Sequence, residues 1–292
     1  MQEKKFMRLM TLPALLIFLF MGVYPTLQAI INSLTSYNMT STDPRAFIWF
    51  DNYIHMVTEV RFWEALGRTA VFVLLSVTLS CGIGLMIAVL LNKVDKLRNT
   101  YRIIYLMPMV IAPTITALNF KFMYNYNFGI INHILNSFNA ASMDFLGNPA
   151  ISLYSCMAVD VWLGTPLAIL VLLAGLEAQP ESLYEAGMID GANRFQIFRH
   201  ITLPLLRKFA IIVIMLRTMD ALKAYEVIQL LTTGGPGTSS ETLNIYISKV
   251  GFSWFEMGYA SALGIFTLYF IMFLIKFVLD KAKIFQAEEA KA

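Results

Sequence analysis

The chain has 292 residues, 58% of them hydrophobic and only 14% charged, a balance too apolar for an ordinary soluble domain. Its net charge of +3 does not signal nucleic acid, because the basic residues stand beside apolar runs and form no stripe interleaved with aromatics. Cys81 and Cys156 sit inside apolar runs with no metal-ligand or disulfide spacing, and the three histidines are far apart. No catalytic triad, metalloprotease helix, phosphate loop or Walker motif is visible, so nothing argues for catalysis in this chain.

Six runs are long enough, at about 20 residues each, to cross the hydrocarbon core of a bilayer. They fall near Leu9–Ser33, Thr69–Leu91, Ile103–Tyr124, Ile151–Leu176, Phe209–Leu231 and Gly258–Leu279. The first follows Lys4, Lys5 and Arg8 like a signal peptide, yet continues without a small-residue cleavage site and reads as a retained helix. Pro13, Pro25, Pro108, Pro113 and Pro166 lie inside these runs and predict kinked or broken spans. The lipid bilayer is therefore the expected solvent, and residues 1–292 read as a single all-α transmembrane domain.

Charge orients that bundle. With the N-terminus in the cytoplasm, fifteen Lys and Arg fall on the inner segments, including Lys93, Lys96, Arg98, Arg102, Arg194, Arg199, Lys276 and Lys291. The outer segments hold four, Arg45, Arg61, Arg68 and Lys249, so both termini are expected inside. The two longest outer loops are Leu34–Arg68 and Asn125–Ala150, with Trp49, Tyr53, Trp63, Tyr124 and Tyr126 read as an aromatic belt.

Between the fourth and fifth runs, Pro180–Lys208 carries Leu183, Ala186 and Met188 or Ile189 at near-helical spacing. Asp190-Gly191 is a turn signal, and Phe195, Phe198 and Ile201 resume an apolar stripe before Pro204. A short helix, a turn and a second short helix at the cytoplasmic surface follow. Ala186, Gly187, Gly191 and Ala192 are small enough to let another protein approach the backbone. An amphipathic linker lying in the membrane interface is the plainer physical alternative.

The string Glu185-Ala186-Gly187, Asp190-Gly191-Ala192, Gln196, Phe198, Ile201 and Pro204 resembles the "EAA" signature of binding-protein-dependent ABC importer permeases. It departs in having Gly187 for the second alanine and Lys208 where a proline often follows. Phe50-Asp51-Asn52-Tyr53, Tyr105-Leu106-Met107-Pro108, Gly129–Asn132, Val161-Trp162 and Leu231–Pro236 with Thr242 resemble the carbohydrate-uptake members of maltose and glycerol-phosphate type. The Gly234-Gly235-Pro236 turn and the tail Lys281–Ala292 resemble the larger membrane subunit of such systems, here without a large outer insertion.

That resemblance implies a type I importer permease fold of six spanning helices with residues 180–208 as its coupling loop, in a bacterial-type inner membrane. It implies a second homologous permease, a cytoplasmic ATPase dimer and an extracytoplasmic solute-binding protein as partners. ATP and Mg would be held by the ATPase, with no cofactor or metal on this chain. Glu185, Ala186, Gly187, Asp190, Gly191, Ala192, Gln196, Phe198 and Pro204 would couple to the ATPase, and alternating access would move an oligosaccharide or sugar derivative inward.

Ionisable residues within spans are expensive and face a cavity or a partner. Arg217, Asp220, Lys223 and Glu226 succeed one another at i,i+3 and are read as ion pairs, within the helix or between helices, that hold the bundle together. Asn119, Asp160, Trp162, Tyr225 and Gln229 offer the hydrogen-bonding and stacking chemistry a sugar requires and are the candidate solute pathway. Replacing Asp220 is accordingly expected to harm folding, and replacing Asp160 or Trp162 to reduce transport in an intact complex. The rival class is a stand-alone secondary transporter coupled to an ion through Asp160 or Asp220, which has no reason to carry the Glu185–Pro204 string.

Overall fold

The computed structural model describes residues 2–94 and 98–289; Lys96 and Lys291, used above for topology, lie outside the described residues. In chain order the helices are α1 (Gln2–Phe18), α2 (Tyr24–Ser33), α3 (Asp51–Thr58), α4 (Val60–Asn92), α5 (Arg98–Val110), α6 (Pro113–Met123) and α7 (Ile130–Ser137). Then come α8 (Ser152–Glu177), α9 (Glu181–Ile189), α10 (Arg194–Ile197), α11 (Leu203–Leu222), α12 (Glu226–Leu231), α13 (Leu243–Phe252) and α14 (Met257–Glu289). Among the described residues there is no strand, only an isolated bridge between Thr35 and Phe47.

Met10–Ser33, Val60–Asn92, Ser152–Glu177 and Met257–Lys276 are long and apolar enough to cross a membrane. The expected third span, Ile103–Tyr124, is no straight helix: Thr100–Val110 and Pro113–Met123 bend by 93° and count as a fifth span only if taken together. Ala112, ahead of Pro113, is extended at φ −58° and ψ 134°, the conformation a residue before proline favours. The expected fifth span, Phe209–Leu231, also breaks, ending as α11 at Leu222 and resuming as α12 at Glu226. With Arg207, Lys208, Arg217 and Asp220 on α11, that helix is too charged to read as spanning by composition alone.

Two π-helical turns each stand just before a proline. In Leu19–Val23 the Tyr24 amide reaches the Leu19 carbonyl, next to Pro25; in Phe198–Thr202 the Leu203 amide reaches Phe198, next to Pro204. Shifting the hydrogen-bond register by one residue accommodates a ring that cannot donate, so helix continues through both prolines.

Packing groups the residues into two units, one of Tyr246–Phe273 with the chain up to Glu64, the other of Ala65–Ile245 with the stretch from Leu274. In the second unit α8 is the central helix: 67% of its most apolar window is buried, against none for Met10–Ser33. One side-chain cluster joins it to Phe72, Val227, Ile228 and Ile245, and another joins its later turns to Ala88, Leu206 and Val213. Tyr124 belongs to that core rather than to an interfacial belt, with its ring stacked on Phe145 and its hydroxyl on the Ser155 carbonyl at 3.3 Å. Cys156 is buried and Cys81 half-buried, both free.

In the first unit the Glu59 carboxylate accepts hydrogen bonds from the hydroxyls of Tyr246 and Tyr259, and the His55 ring lies against Tyr259. Burial first, and then the Glu59 carboxylate, push the Tyr246 phenol well above its ordinary value, which keeps it a hydrogen-bond donor.

Candidate functional site

The first half of the loop after α8, a short helix ended at Asp190-Gly191, is built as its sequence implies. At the end of α9 the Gly191 amide bonds to the Met188 carbonyl at 3.1 Å and the Ala192 amide to Gly187 at 3.0 Å. This pair of reversed bonds is a Schellman motif, and it requires the left-handed backbone that Gly191 adopts at φ +78°. Two residues on, Asn193 and Gln196 form a capping box, with Gln196 N to Asn193 Oδ1 at 2.9 Å and Asn193 N to Gln196 Oε1 at 2.7 Å. The signal Asn-x-x-Gln stands openly in the sequence, and it gives Gln196 a role inside the loop.

The second short helix differs from expectation. α10 covers four residues and runs through the π-helical turn into α11, so the chain from Arg194 to Leu222 is one continuous helical rod. Tyr184 braces α9 against this rod, its hydroxyl bonded to Gln179 and lying 3.3 Å from Thr202 Oγ1. A β-carbon on Gly187 would stand 2.9 Å from Ile201 Cδ1, so the departure from Ala at this position matches the closeness of the two segments. Phe198 is half-buried, and Pro204 opens α11 at its first turn.

The outer face of the loop is unusually apolar for an exposed segment. No residue of α9 is buried; Ile189 is 85% exposed, Phe195 68% and Met188 60%. Glu185, Ala186 and Asp190 are exposed beside them, Ala192 is half-buried, and neither carboxylate has a partner among the described residues. Apolar side chains exposed on a capped helix make a face suited to cover by another protein or by the membrane interface. Nearby, Arg102 on α5 pairs with Glu177 at the end of α8.

About fourteen residues along α11 from Leu203, or roughly 21 Å at helical rise, stands Arg217. Its Nη2 donates to Asp160 Oδ2 on α8 at 2.6 Å and to Ser76 Oγ on α4 at 3.2 Å, and the Ser76 hydroxyl itself bonds to Asp160. Arg217 is 3% exposed and Asp160 8%, so three helices are clipped by one buried ion pair. Gly164, one turn beyond Asp160, makes the clip possible, because a β-carbon there would collide with the guanidinium. Sequence reading missed Gly164, and its i+4 spacing from Asp160 is the signal that could have found it.

Of the two forms of ion pairing expected for this segment, the structure shows the one between helices, and only for Arg217. Arg217 pairs across helices with Asp160, not along α11 with Asp220; Asp220, Lys223 and Glu226 are exposed and form no ion pair among the described residues. The expected consequences of replacing Asp160 and Asp220 reverse with it.

Where the two breaks at Ile111–Pro113 and Lys223–Tyr225 meet, a cavity of about 380 Å³ opens. Asp160, Arg217, Asp220, Lys223, Tyr225 and Glu226 line it. Of the pathway candidates, Asp160 and Tyr225 thus face one space, while Asn119, Trp162 and Gln229 do not line it. Asn119 is exposed on α6, Trp162 is 38% exposed with its ring edge on Phe120 at 5.6 Å, and Gln229 is half-buried on α12. Lys121 donates to the Leu230 carbonyl at 2.8 Å and so ties α6 to α12.

A lipid-embedded helical protein with a capped, partner-ready loop and a polar cavity at broken helices has the design of a transport permease. Residues 80–284 match the family described as "Binding-protein-dependent transport system inner membrane component", and the chain belongs to that family of inner-membrane ABC importer permeases. It is 36% identical over 274 residues to the trehalose/maltose transport system permease protein MalF of Thermococcus litoralis, covering 93% of this chain and 91% of that protein. It is 32% identical over 257 residues to the sulfoquinovosyl glycerol transport system permease protein SmoG of Agrobacterium fabrum, covering 88% and 83%. In fold it is similar to a chain of the bacterial alginate ABC transporter crystallised with an alginate pentasaccharide-bound periplasmic protein, with a TM-score of 0.83, 22% identity and coverage of 95% and 93%.

Proposed function

We propose that this chain is the membrane subunit through which an ATP-driven importer passes a carbohydrate, an oligosaccharide or sugar derivative, into the cell. Its relatives named for trehalose/maltose and for sulfoquinovosyl glycerol transport support the solute class. On this reading it works beside a second homologous permease, with a cytoplasmic ATPase dimer below and a solute-binding protein outside. ATP and Mg belong to the ATPase; this chain binds no cofactor and hydrolyses nothing. Residues 1–292 act as one permease domain with both termini in the cytoplasm, in keeping with the segregation of Lys and Arg along the sequence.

The observation that carries the reading is the loop. Ile189, Met188 and Phe195 seat α9 against the ATPase, with Glu185 and Asp190 offering carboxylates at the rim and the small Ala186, Gly191 and Ala192 allowing close approach. A displacement of α9 passes through Tyr184, Gly187 and Ile201 to the Arg194–Leu222 rod, and along the rod to the Arg217–Asp160–Ser76 clip. Because the clip ties α11 to α8 and α4, tilting the rod moves the walls of the cavity at the two breaks. Alternating access follows if ATPase closure and opening bias this rod between two arrangements.

Affinity purification on a tag carried by this chain tests the reading. The wild-type chain is expected to retain the ATPase, and Glu185→Arg or Gly191→Val to lose it while the chain still inserts. Ion-gradient-driven sugar uptake by the purified chain alone in liposomes would overturn the reading in favour of a secondary transporter.

A further inference from the structure

A separate pocket of about 310 Å³ opens between the last turn of α4, the end of α8, Tyr184 on α9 and the Arg194–Leu222 rod. Val89, Leu176, Ile197 and Phe198 give it an apolar lining, and Lys93 and Arg194 stand exposed beside them. Neither cation has an ion pair among the described residues, and no Asp or Glu is among the described residues that line the space. Tyr184 and Thr202, also in the lining, already bond to each other, so the two cations are the charges a ligand would meet. Like charges beside one apolar hollow repel, and an anion between them turns that repulsion into attraction.

The approach along α4 is apolar as well. Met86 and Leu90 precede Lys93 at i, i+4 and i+7, so the three share one face of the helix, and Met86 and Leu90 are each 58% exposed. An exposed apolar stripe that ends on a cation at the last turn of a spanning helix matches an acyl chain that ends in an anionic headgroup. A soluble anion would leave both the stripe and the apolar lining unused. We infer that this pocket binds an anionic phospholipid, its phosphate between Lys93 and Arg194 and its tail along Leu90 and Met86. Because Lys93 belongs to α4 and Arg194 to the rod, the lipid bridges the two and ties movement of the rod to the composition of the surrounding membrane.

The test is native mass spectrometry of the detergent-purified permease–ATPase complex after incubation with equal amounts of phosphatidylglycerol and phosphatidylcholine, read on the first lipid retained. The wild type is expected to retain phosphatidylglycerol at least fivefold over phosphatidylcholine. Lys93→Gln with Arg194→Gln, changes at exposed side chains, is expected to bring that ratio to within twofold with the size-exclusion profile unchanged. Lys208→Gln, an exposed cation on the same rod but outside the pocket, is expected to leave the ratio as it is, and an excess of inorganic phosphate not to displace the lipid. Equal retention of both lipids by the wild type, a ratio unmoved by the double variant, an equal fall with Lys208→Gln, or displacement by inorganic phosphate would each overturn the inference. So would a double variant that keeps its lipid preference but loses the ATPase on affinity purification, which would give the pocket to the partner protein.

Discussion

The coupling loop and the cavity lie on the same rod, yet they are held in opposite ways. The loop keeps its shape by local backbone devices: a Schellman motif at Gly191, a capping box between Asn193 and Gln196, and a register shift before Pro204. Its side chains remain exposed for a partner. The cavity wall is held by contacts 57 to 141 residues apart in sequence, from Arg217 to Asp160 and Ser76. Local devices tolerate a moving surface, whereas a buried ion pair fixes three helices and is unforgiving of change.

The sharpest break in that comparison is Arg217→Ala. It leaves the Asp160 carboxylate buried without its cation, a loss of about 3–5 kcal/mol. We expect the variant to be lost from the monodisperse peak in fluorescence-detected size-exclusion chromatography, and Asp160→Asn with Arg217→Gln to recover part of it. By the same logic Asp220→Asn should leave the elution profile unchanged, since its carboxylate is exposed and has no ion pair among the described residues.

On the loop, Ile189→Asp is expected to do the reverse. The side chain is 85% exposed, so thermal stability of the isolated chain should not move. Placing a charge in a contact that excludes water should nevertheless reduce ATPase co-purification by at least tenfold. A fall in stability without a change in association would mean that this face packs within the chain.

Why one region was readable and the other was not follows from how each is specified. Asp190-Gly191 and Pro204 act within a few residues of themselves and are read from their pattern, and the Asn193–Gln196 capping box, though not read there, is equally local. Asp160, Ser76 and Arg217 carry no local signal of their pairing, so the nearer neighbours at i,i+3 were the natural expectation. The apolar runs located α4, α8 and α14 well, because hydropathy alone places a lipid-facing helix. Pro113 announced the break at Ile111–Pro113, but no proline marked the one at Lys223–Tyr225, where a cavity takes over from lipid as the environment of the backbone.

Gly191→Val is a smaller but more local probe. Held at φ +78°, the position costs a residue with a β-carbon about 1–2 kcal/mol, and β-branching adds to that. Amide hydrogen exchange should quicken across Glu181–Ile189 and Ala192, with the α8 and α11 amides near Arg217 unaffected. Exchange that quickened in both regions would show the loop and the clip to be one cooperative element.

Gly187→Ala is the smallest expected effect and the finest measure of how tightly the two loop segments meet. An alanine inside α9 is favoured over glycine by about 1 kcal/mol of helix propensity. Its β-carbon would stand 2.9 Å from Ile201 Cδ1, so the isoleucine tip must turn aside, and only the far end of a flexible side chain has to move. The two terms nearly cancel, and we expect exchange rates across α9 to change less than threefold. Trimming the obstructing methyl with Ile201→Val in the same chain should release the propensity term and slow exchange in α9 beyond wild type. If the double variant instead loosens α9, then Ile201 is a strut that carries the displacement of α9 into the rod, and sugar uptake per ATP hydrolysed should fall with it.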